Sequence, residues 1–384
     1  MASYSPFSPV DIRISPVAEG EAAVRSMLYG KARRLLVMVP RQLSAKLALT
    51  AFLTALQSDG HSIHLVTDIP ANPSVQDIAA LLADLRAQEF NPTRILCIGG
   101  GSCMDFGKAL SALWLLNPAL TASTEAVRQA ILEKHYLQAA NPFISLLAMP
   151  TTSGTGSEVT RWATIWDPEK KQKLSIDSPK LFPKAAILIP EWTVSMPAPL
   201  TLSTGLDALA HAMEAFWARA ATPLSGALAL SAVQQVRQYL PQVLNAPTGV
   251  SLRQEMCTAS LLAGLPFSIT RTTACHSLSY PLTLLHGIPH GFAAAVSLPS
   301  VLRRNRTALP AISHLEKIFE SDGGFAVWLR SLCEPIQPLS LSAFGICESQ
   351  LPAIAELAFT AGRMDNNPVS FTTAEVLAIL RESL

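Results

Sequence analysis

Charge is scarce in this sequence and nearly balanced. Charged residues make up 15% of the 384, and 29 Lys and Arg face 28 Asp and Glu. The broad positive field that a nucleic acid or an anionic membrane would require is therefore missing, and any charged ligand must be met locally. Six cysteines, at 97, 103, 257, 275, 333 and 347, form no C-x-x-C pair and no dense framework. They read as reduced thiols of a cytoplasmic protein, with Cys275 a small packed residue. No apolar run approaches the roughly 18 residues that span a bilayer. The start, MASYSPFSPVDIRIS, lacks the basic stretch and apolar core of a secretory signal. Internal repeats and low-complexity segments are absent too. With 49% hydrophobic residues the composition is that of a globular chain, and the length accommodates two domains, each with its own core.

The first half alternates short β-rich apolar runs with longer helical patterns. RLLVMVP (34–40), SIHLVTDI (62–69), RILCIGGG (94–101), ISLLAMPT (144–151) and AAILIP (185–190) are the candidate strands. SAKLALTAFLTALQ and VQDIAALLADLRAQ are helical patterns between them, and such alternation predicts a doubly wound parallel α/β sheet. Beyond residue 192 strand signals fade and helical periodicity takes over, in 204–218, 224–243, 251–264 and 350–361. The expectation is an α/β domain over 1–192 and an all-helical domain over 193–384, with PEWTVSMPAPL marking the crossing.

Two glycine-rich turns follow strands in the first half. IGGGSCMDFGKAL (98–110) sets three glycines between a strand and a helix, where backbone amides and the helix dipole suit a pyrophosphate. It is neither G-x-G-x-x-G nor a P-loop, and the tripeptide alone also fits a tight turn that binds nothing. TTSGTGSEVT (151–160) repeats the arrangement one strand later. Two such loops at the carboxyl ends of parallel strands would line one crevice, where open α/β sheets bind nucleotides.

TGLDALAHAMEAF (204–216) has the apolar spacing of a buried helix, interrupted by Asp207 and His211. At i and i+4 they share one face and could hold a divalent ion, or form a buried hydrogen-bonded pair. CHSLSYPLTLLHGIPHGF (275–292) adds His276, His286 and His290 in a chain with only eight histidines. Histidine and carboxylate donors suit Fe2+ or Zn2+ rather than Mg2+ or Ca2+, and a four-ligand site with an open position would act as a Lewis acid.

These segments together resemble the iron-containing (group III) alcohol dehydrogenases. GGGSCMDFGK resembles that family's GGGS-x-x-D-x-A-K, with Gly107 in place of Ala. AMPTTSGTGSEVT, TGLDALAHAMEAF and HSLSYPLTLLHGIPHG follow in family order and spacing, and NNPVSFTTAEV (366–376) resembles its N-P-R segment. The resemblance implies a dehydroquinate synthase-like fold: a dinucleotide-binding domain, a helical domain and a metal in the cleft between them. It also implies metal ligands at Asp207, His211, His276 and His290, leaving His286 a bystander. For NAD or NADP it points to Gly100, Gly101, Ser102, Asp105, Thr151, Thr152, Thr155 and Lys173, and it leaves Lys108 to packing or solvation.

Three departures from the family pattern matter. The carboxylate that often ends the first strand in NAD-preferring members is replaced by Pro40 and Arg41, so a 2'-phosphate would not be repelled there. A histidine four residues after the third ligand is replaced by Tyr280, and a phenol, titrating near about pH 10, relays protons less readily than imidazole. The pocket positions are Trp162, Phe267 and Arg271, the last where members carry a small residue. A guanidinium there should meet an anion. SITRTTACHSLSYPLT resembles the phosphonoacetaldehyde reductase subgroup. The expected activity is metal-dependent, NAD(P)H-linked reduction of a small aldehyde, such as phosphonoacetaldehyde to 2-hydroxyethylphosphonate. The alternatives are a short-chain alcohol dehydrogenase without anionic preference and a dehydroquinate-synthase-like lyase. No nucleic-acid or membrane partner is expected, and the apolar fraction permits a homodimer.

Overall fold

A computed structural model describes residues 8–138 and 142–384. The chain divides into two compact units, one of residues up to 152 with 157–195, the other of 153–156 with 196–384. The division thus falls three residues beyond the expected 192/193 boundary, and one short stretch of the first half joins the second unit.

In the first unit the strands are β1 (Asp11–Ile14), β2 (Arg34–Met38), β3 (Ser62–Val66), β4 (Arg94–Gly99), β5 (Leu146–Pro150), β6 (Trp162–Asp167), β7 (Gln172–Asp177) and β8 (Ala185–Leu188). Six of them form a parallel sheet in the order β1-β8-β5-β4-β2-β3. Around it lie α1 (Val17–Leu28), α2 (Arg41–Lys46), α3 (Thr50–Ser58), α4 (Val75–Ala87), α5 (Gly101–Leu113) and α6 (Thr124–Leu132).

The continuous apolar runs are explained by burial of both sheet faces. Leu35, Val37, Leu96, Ile98, Leu147 and Met149 pack on one side with Val24, Phe52 and Leu56 of α1 and α3. Their chain neighbours Leu36, Met38, Ile95, Cys97, Leu146 and Ala148 pack on the other with residues of α4, α5 and α6. Since successive strand residues point to opposite faces, both faces must be apolar. The strand order reverses between β2 and β4, and the carboxyl ends there carry Pro40 and the Gly99–Gly101 turn.

The antiparallel hairpin of β6 and β7 was not among the expected strands, nor was β1. The hairpin segment is short and split by the charged turn PEKK, so its alternation is too brief to stand out. A buried lysine ties this region to α5. Lys108 Nζ donates to the carbonyl oxygens of Ser157, Thr160 and Trp162 at 2.6, 3.0 and 3.0 Å, and to the hydroxyls of Ser157 and Thr160 at 3.0 and 3.1 Å. Burial pushes its pKa down to about 8, partly offset by Asp105 and Glu158, so the ammonium persists at neutral pH.

The second unit is helical: α7 (Ala198–Trp217), α8 (Pro223–Asn245), α9 (Val250–Thr270), α10 (Ala274–His286), α11 (His290–Ala295), α12 (Leu298–Asn305), α13 (Ser313–Ile318), α14 (Phe325–Cys333), α15 (Leu351–Leu357) and α16 (Thr373–Glu382). α7 is buried on nearly all sides, as a helix at the centre of a core must be. It starts six residues before the expected 204 because Pro197 and Pro199 sit at its first turn, where no amide hydrogen bond is lost. Leu202, Leu206, Leu209 and Met213 pack with Val233, Val236 and Leu240 of α8 and Met256 of α9. The stretch 153–156 joins this unit through close backbone approach: a Cβ on Gly154 would stand 2.2 Å from the carbonyl oxygen of Thr204. Among the described residues no helix is long and apolar enough to cross a membrane.

Replacing Lys108 with Met should strand five acceptors, four of them buried, and cost about 3 kcal/mol of unfolding free energy, read from urea denaturation. A loss under about 0.5 kcal/mol would show that water satisfies the acceptors instead.

Candidate metal centre

α7 sets Asp207, His211 and Glu214 at i, i+4 and i+7, one above another on a single face. His276 lies in the first turn of α10. His290 opens α11, after α10 stops at Gly287, which adopts the left-handed conformation with φ 67°.

The donors converge on one carboxylate oxygen. Nε2 of His276, His211 and His290 lie 3.5, 3.8 and 3.8 Å from Asp207 Oδ1. The donor atoms of Asp207, His276 and His290 all fall within 4.8 Å of one another. His211 stands outside that triplet but faces the same oxygen, while His286 ends α10 away from the convergence.

Each ring is held through its other nitrogen. His276 Nδ1 donates to Glu214 Oε2, His211 Nδ1 pairs with the carbonyl oxygen of Gly154 at 3.3 Å, and His290 Nδ1 meets Ser279 Oγ at 3.5 Å. This is the outer support that fixes ring orientation around a metal, with Nε2 turned inward. Aromatic contacts add to it: Phe267 stacks on His211 at 4.0 Å and 5°, and Tyr280 lies parallel to His290 at 6.2 Å.

Glu214 escaped the sequence reading, although its spacing from Asp207 and His211 on a helix buried all round was a visible signal. Its Oε1 accepts from Thr273 Oγ1 and Cys275 N, both at 2.7 Å, and from His276 N at 3.3 Å. Trp217 Nε1 in turn donates to Thr273 Oγ1 at 2.9 Å. One carboxylate of α7 therefore caps the amide end of α10 and orients the first histidine of that helix.

Asp207 Oδ1 and His276 Nε2 are buried and make no hydrogen bond, although they face each other. Leaving two such atoms unsatisfied is costly, and a cation between them removes the cost. Electrostatics agree. Burial disfavours a charged His276, yet Glu214 and Asp207 push its pKa up to about 10. Burial pushes His211 down to about 4. Burial would raise Asp207, but His211, His276 and His290 hold it well below the usual carboxylate range. The position between the two carboxylates calls for positive charge, and the donor set of three imidazoles and one carboxylate suits Fe2+ or Zn2+.

Of the remaining site residues, Phe267 and Tyr280 join this group and Arg271 lies on the connection between α9 and α10. Trp162 belongs to the other unit, where it opens β6. So do the glycine-loop residues except Thr155, which lies in the 153–156 stretch of the helical unit. At the carboxyl ends of β4 and β5, Thr151 N donates to Gly99 O at 3.1 Å, and a Cβ on Gly100 would stand 3.1 Å from Thr152 Oγ1. Gly101 opens α5, so its amide is one of the unpaired donors of the helix start. Ser102 Oγ accepts from Asn72 N at 3.2 Å. Asp105 is engaged within the unit, accepting from Ser157 Oγ at 2.8 Å and Thr164 N at 3.0 Å, and Lys173 pairs across the hairpin with Trp166.

The profile "Iron-containing alcohol dehydrogenase" matches residues 17–190, and "Fe-containing alcohol dehydrogenase family, C-terminal" matches 201–384. A 1,3-propanediol dehydrogenase of Klebsiella pneumoniae is 30% identical over 340 residues, 85% of each chain. A phosphonoacetaldehyde reductase of Streptomyces viridochromogenes is 37% identical over 248 residues, 64% of this chain and 60% of the relative. The crystal structure of sulfoacetaldehyde reductase from Bifidobacterium kashiwanohense in complex with NAD+ superposes with a TM-score of 0.83 at 26% identity, covering 100% of this chain and 98% of that one. The chain belongs to the iron-containing alcohol dehydrogenase family, oxidoreductases that act on CH–OH groups.

Glu214→Gln removes the charge that orients His276 and should weaken Fe2+ or Zn2+ binding about 10- to 100-fold, measured by metal content after equilibrium dialysis. Unchanged affinity would reduce Glu214 to a helix cap.

Proposed function

We propose that Asp207, His211, His276 and His290 hold one Fe2+ or Zn2+, and that the chain reduces a short aldehyde bearing an anionic group with NADH or NADPH. Phosphonoacetaldehyde, giving 2-hydroxyethylphosphonate, is the substrate we infer. The observation that carries the metal-dependent reading is the buried, unsatisfied pair of Asp207 Oδ1 and His276 Nε2. When bound, a divalent ion supplies Lewis acidity toward a carbonyl oxygen and a reduced nicotinamide supplies the hydride.

The chain's own residues keep the site in register. Glu214 Oε2 holds the proton on His276 Nδ1, which leaves Nε2 as the lone-pair donor. His211 is wedged between Phe267 and His276, with ring centroids 4.0 and 4.5 Å away, so its ring cannot turn without displacing both. Asp207, His211 and His276 have side chains at most 7% exposed, whereas His290 is 33% exposed, and so water is excluded from all but one side. Tyr280, itself buried and with its ring parallel to that of His290, can offer its phenolic proton to a developing alkoxide, a slower relay than imidazole would provide.

On the cofactor side, Gly100, Gly101, Ser102, Thr151 and Thr152 are the residues we assign to the pyrophosphate and ribose, with Asp105, Thr155 and Lys173 completing the set. Support comes from their place at the carboxyl ends of β4 and β5, beside the point where the strand order reverses. Arg41 forms an ion pair with Asp68 at 2.8 Å, and both side chains are highly exposed, at 74% and 85%. Such a pair contributes little and opens readily, so Arg41 is free to meet a 2'-phosphate. Arg41→Ala should then lower kcat/KM for NADPH about tenfold while leaving NADH within about twofold. An equal change for both cofactors would remove this reading.

The substrate is tested by reconstituting the protein with Fe2+ or Zn2+ and following cofactor oxidation with phosphonoacetaldehyde, sulfoacetaldehyde and propanal. The anionic aldehydes are expected to be preferred, and Arg271→Ala to abolish the preference. Equal use of propanal would favour a general short-chain alcohol dehydrogenase, the reading supported by the long match to 1,3-propanediol dehydrogenase.

A further inference from the structure

Arg271 ends α9 with φ 63° and ψ 178°. Glycine occupies that region freely, whereas a residue with a Cβ is held there only when its surroundings enforce it. The enforcing contacts are specific. Arg271 N donates to Phe267 O at 2.8 Å, and Thr270 Oγ1 donates to Arg271 O at 3.0 Å. From the distant C-terminal segment, Asn366 Nδ2 donates to Thr270 O at 2.8 Å and to Thr272 O at 3.1 Å. The two carbonyls flank Arg271, so one carboxamide grips the strained residue from both sides.

Asn366 is itself anchored. Its carbonyl accepts from Arg219 N at 2.9 Å, just past the end of α7, and the next residue, Asn367, exchanges amide hydrogen bonds with Asn305 at 3.0 and 2.7 Å. The same C-terminal segment also makes room for the side chain. Arg271 Nη1 lies 3.1 Å from where a Cβ on Gly362 would stand, and Gly362 has φ +73°. Any larger residue at 362 would crowd the guanidinium.

The connection Arg271–Thr273 spans only three residues. It runs from the helix whose Phe267 stacks on His211 to the helix whose first turn Glu214 caps, with Thr273 donating to that carboxylate. A glycine would satisfy the turn without strain, so the arginine side chain is what the strain is retained for.

We propose that Asn366 is the positioning residue for substrate specificity: by gripping the carbonyls on either side of Arg271, and with Gly362 leaving space, it presents the guanidinium to the anionic end of the aldehyde. The proposal rests on the reading that Arg271 meets a substrate anion. It would make discrimination between anionic and neutral aldehydes depend on a residue that touches neither.

Two readouts on the metal-loaded enzyme test it. The first is thermal unfolding. Arg271→Gly should unfold at higher temperature than Arg271→Ala, because only glycine relaxes in this conformation, and Asn366→Ala should lower the midpoint much less in the Arg271→Gly background than in the native chain. The second is the ratio of kcat/KM for phosphonoacetaldehyde over propanal. Asn366→Ala should reduce it about tenfold, chiefly through KM for the anionic aldehyde, with no further loss when added to Arg271→Gly. Equal midpoints for Arg271→Gly and Arg271→Ala would overturn the strained grip. A ratio lost in Arg271→Ala but retained in Asn366→Ala would overturn the positioning role. Coupled midpoints with the ratio unchanged in every variant would instead overturn the anionic-substrate reading on which the proposal rests.

Discussion

The carboxylate of Glu214 governs the arrangement of the helical unit around its candidate metal centre. It is wholly buried, and it meets the start of α10 through Thr273, two backbone amides and the Nδ1 of His276. A buried charge is tolerable only when its lone pairs are taken up, and each of its partners also carries positional information. The amides set where α10 begins, and the ring hydrogen bond sets which nitrogen of His276 faces Asp207. With that one anion in place, two helices distant in sequence agree on a common point to within hydrogen-bond precision.

The same economy appears in the α/β unit with the charge reversed. Lys108 gathers the carbonyls and hydroxyls of the 157–162 segment, while Asp105, three residues earlier on α5, takes Ser157 and the amide of Thr164. Burial raises the pKa of Asp105 and lowers that of Lys108, and each charge offsets part of the cost of the other. The family-like D-x-x-K spacing thus has a structural use in ordering the loop and hairpin that follow the second glycine-rich turn. In both units a buried ionised side chain organises backbone that has no regular partner of its own. The Arg271 turn follows a related logic, with the amide of Asn366 imposing a conformation that local sequence would refuse.

Much of this was legible in the sequence. Five strand segments, the helical second half and the two glycine turns follow from apolar periodicity and turn residues, whereas the set Asp207, His211, His276 and His290 is what the family resemblance implies. What escaped was short or compensated. β1 has four residues and an alternation half exposed to solvent, and the β6–β7 hairpin is stabilised by pairing across a turn rather than by a long apolar run. Glu214 escaped because a glutamate on a helix is ordinarily solvated, although its spacing of seven residues from Asp207 puts it on the face that carries Asp207 and His211.

The sequence by itself determined that this chain has a doubly wound parallel sheet followed by helices, and that Asp207 and His211 share one helix face. Both are local consequences of side-chain period and backbone sterics. The tertiary structure alone decided that residues 153–156 belong with the helical unit, because the packing of Gly154 against Thr204 depends on segments some fifty residues apart. It also decided that His276 and His290 face Asp207, and that Asn366 reaches back to grip the carbonyls beside Arg271. Hydrogen bonds and ion sites are short-ranged and directional, so they depend on where distant segments meet, which the period of any one segment does not encode.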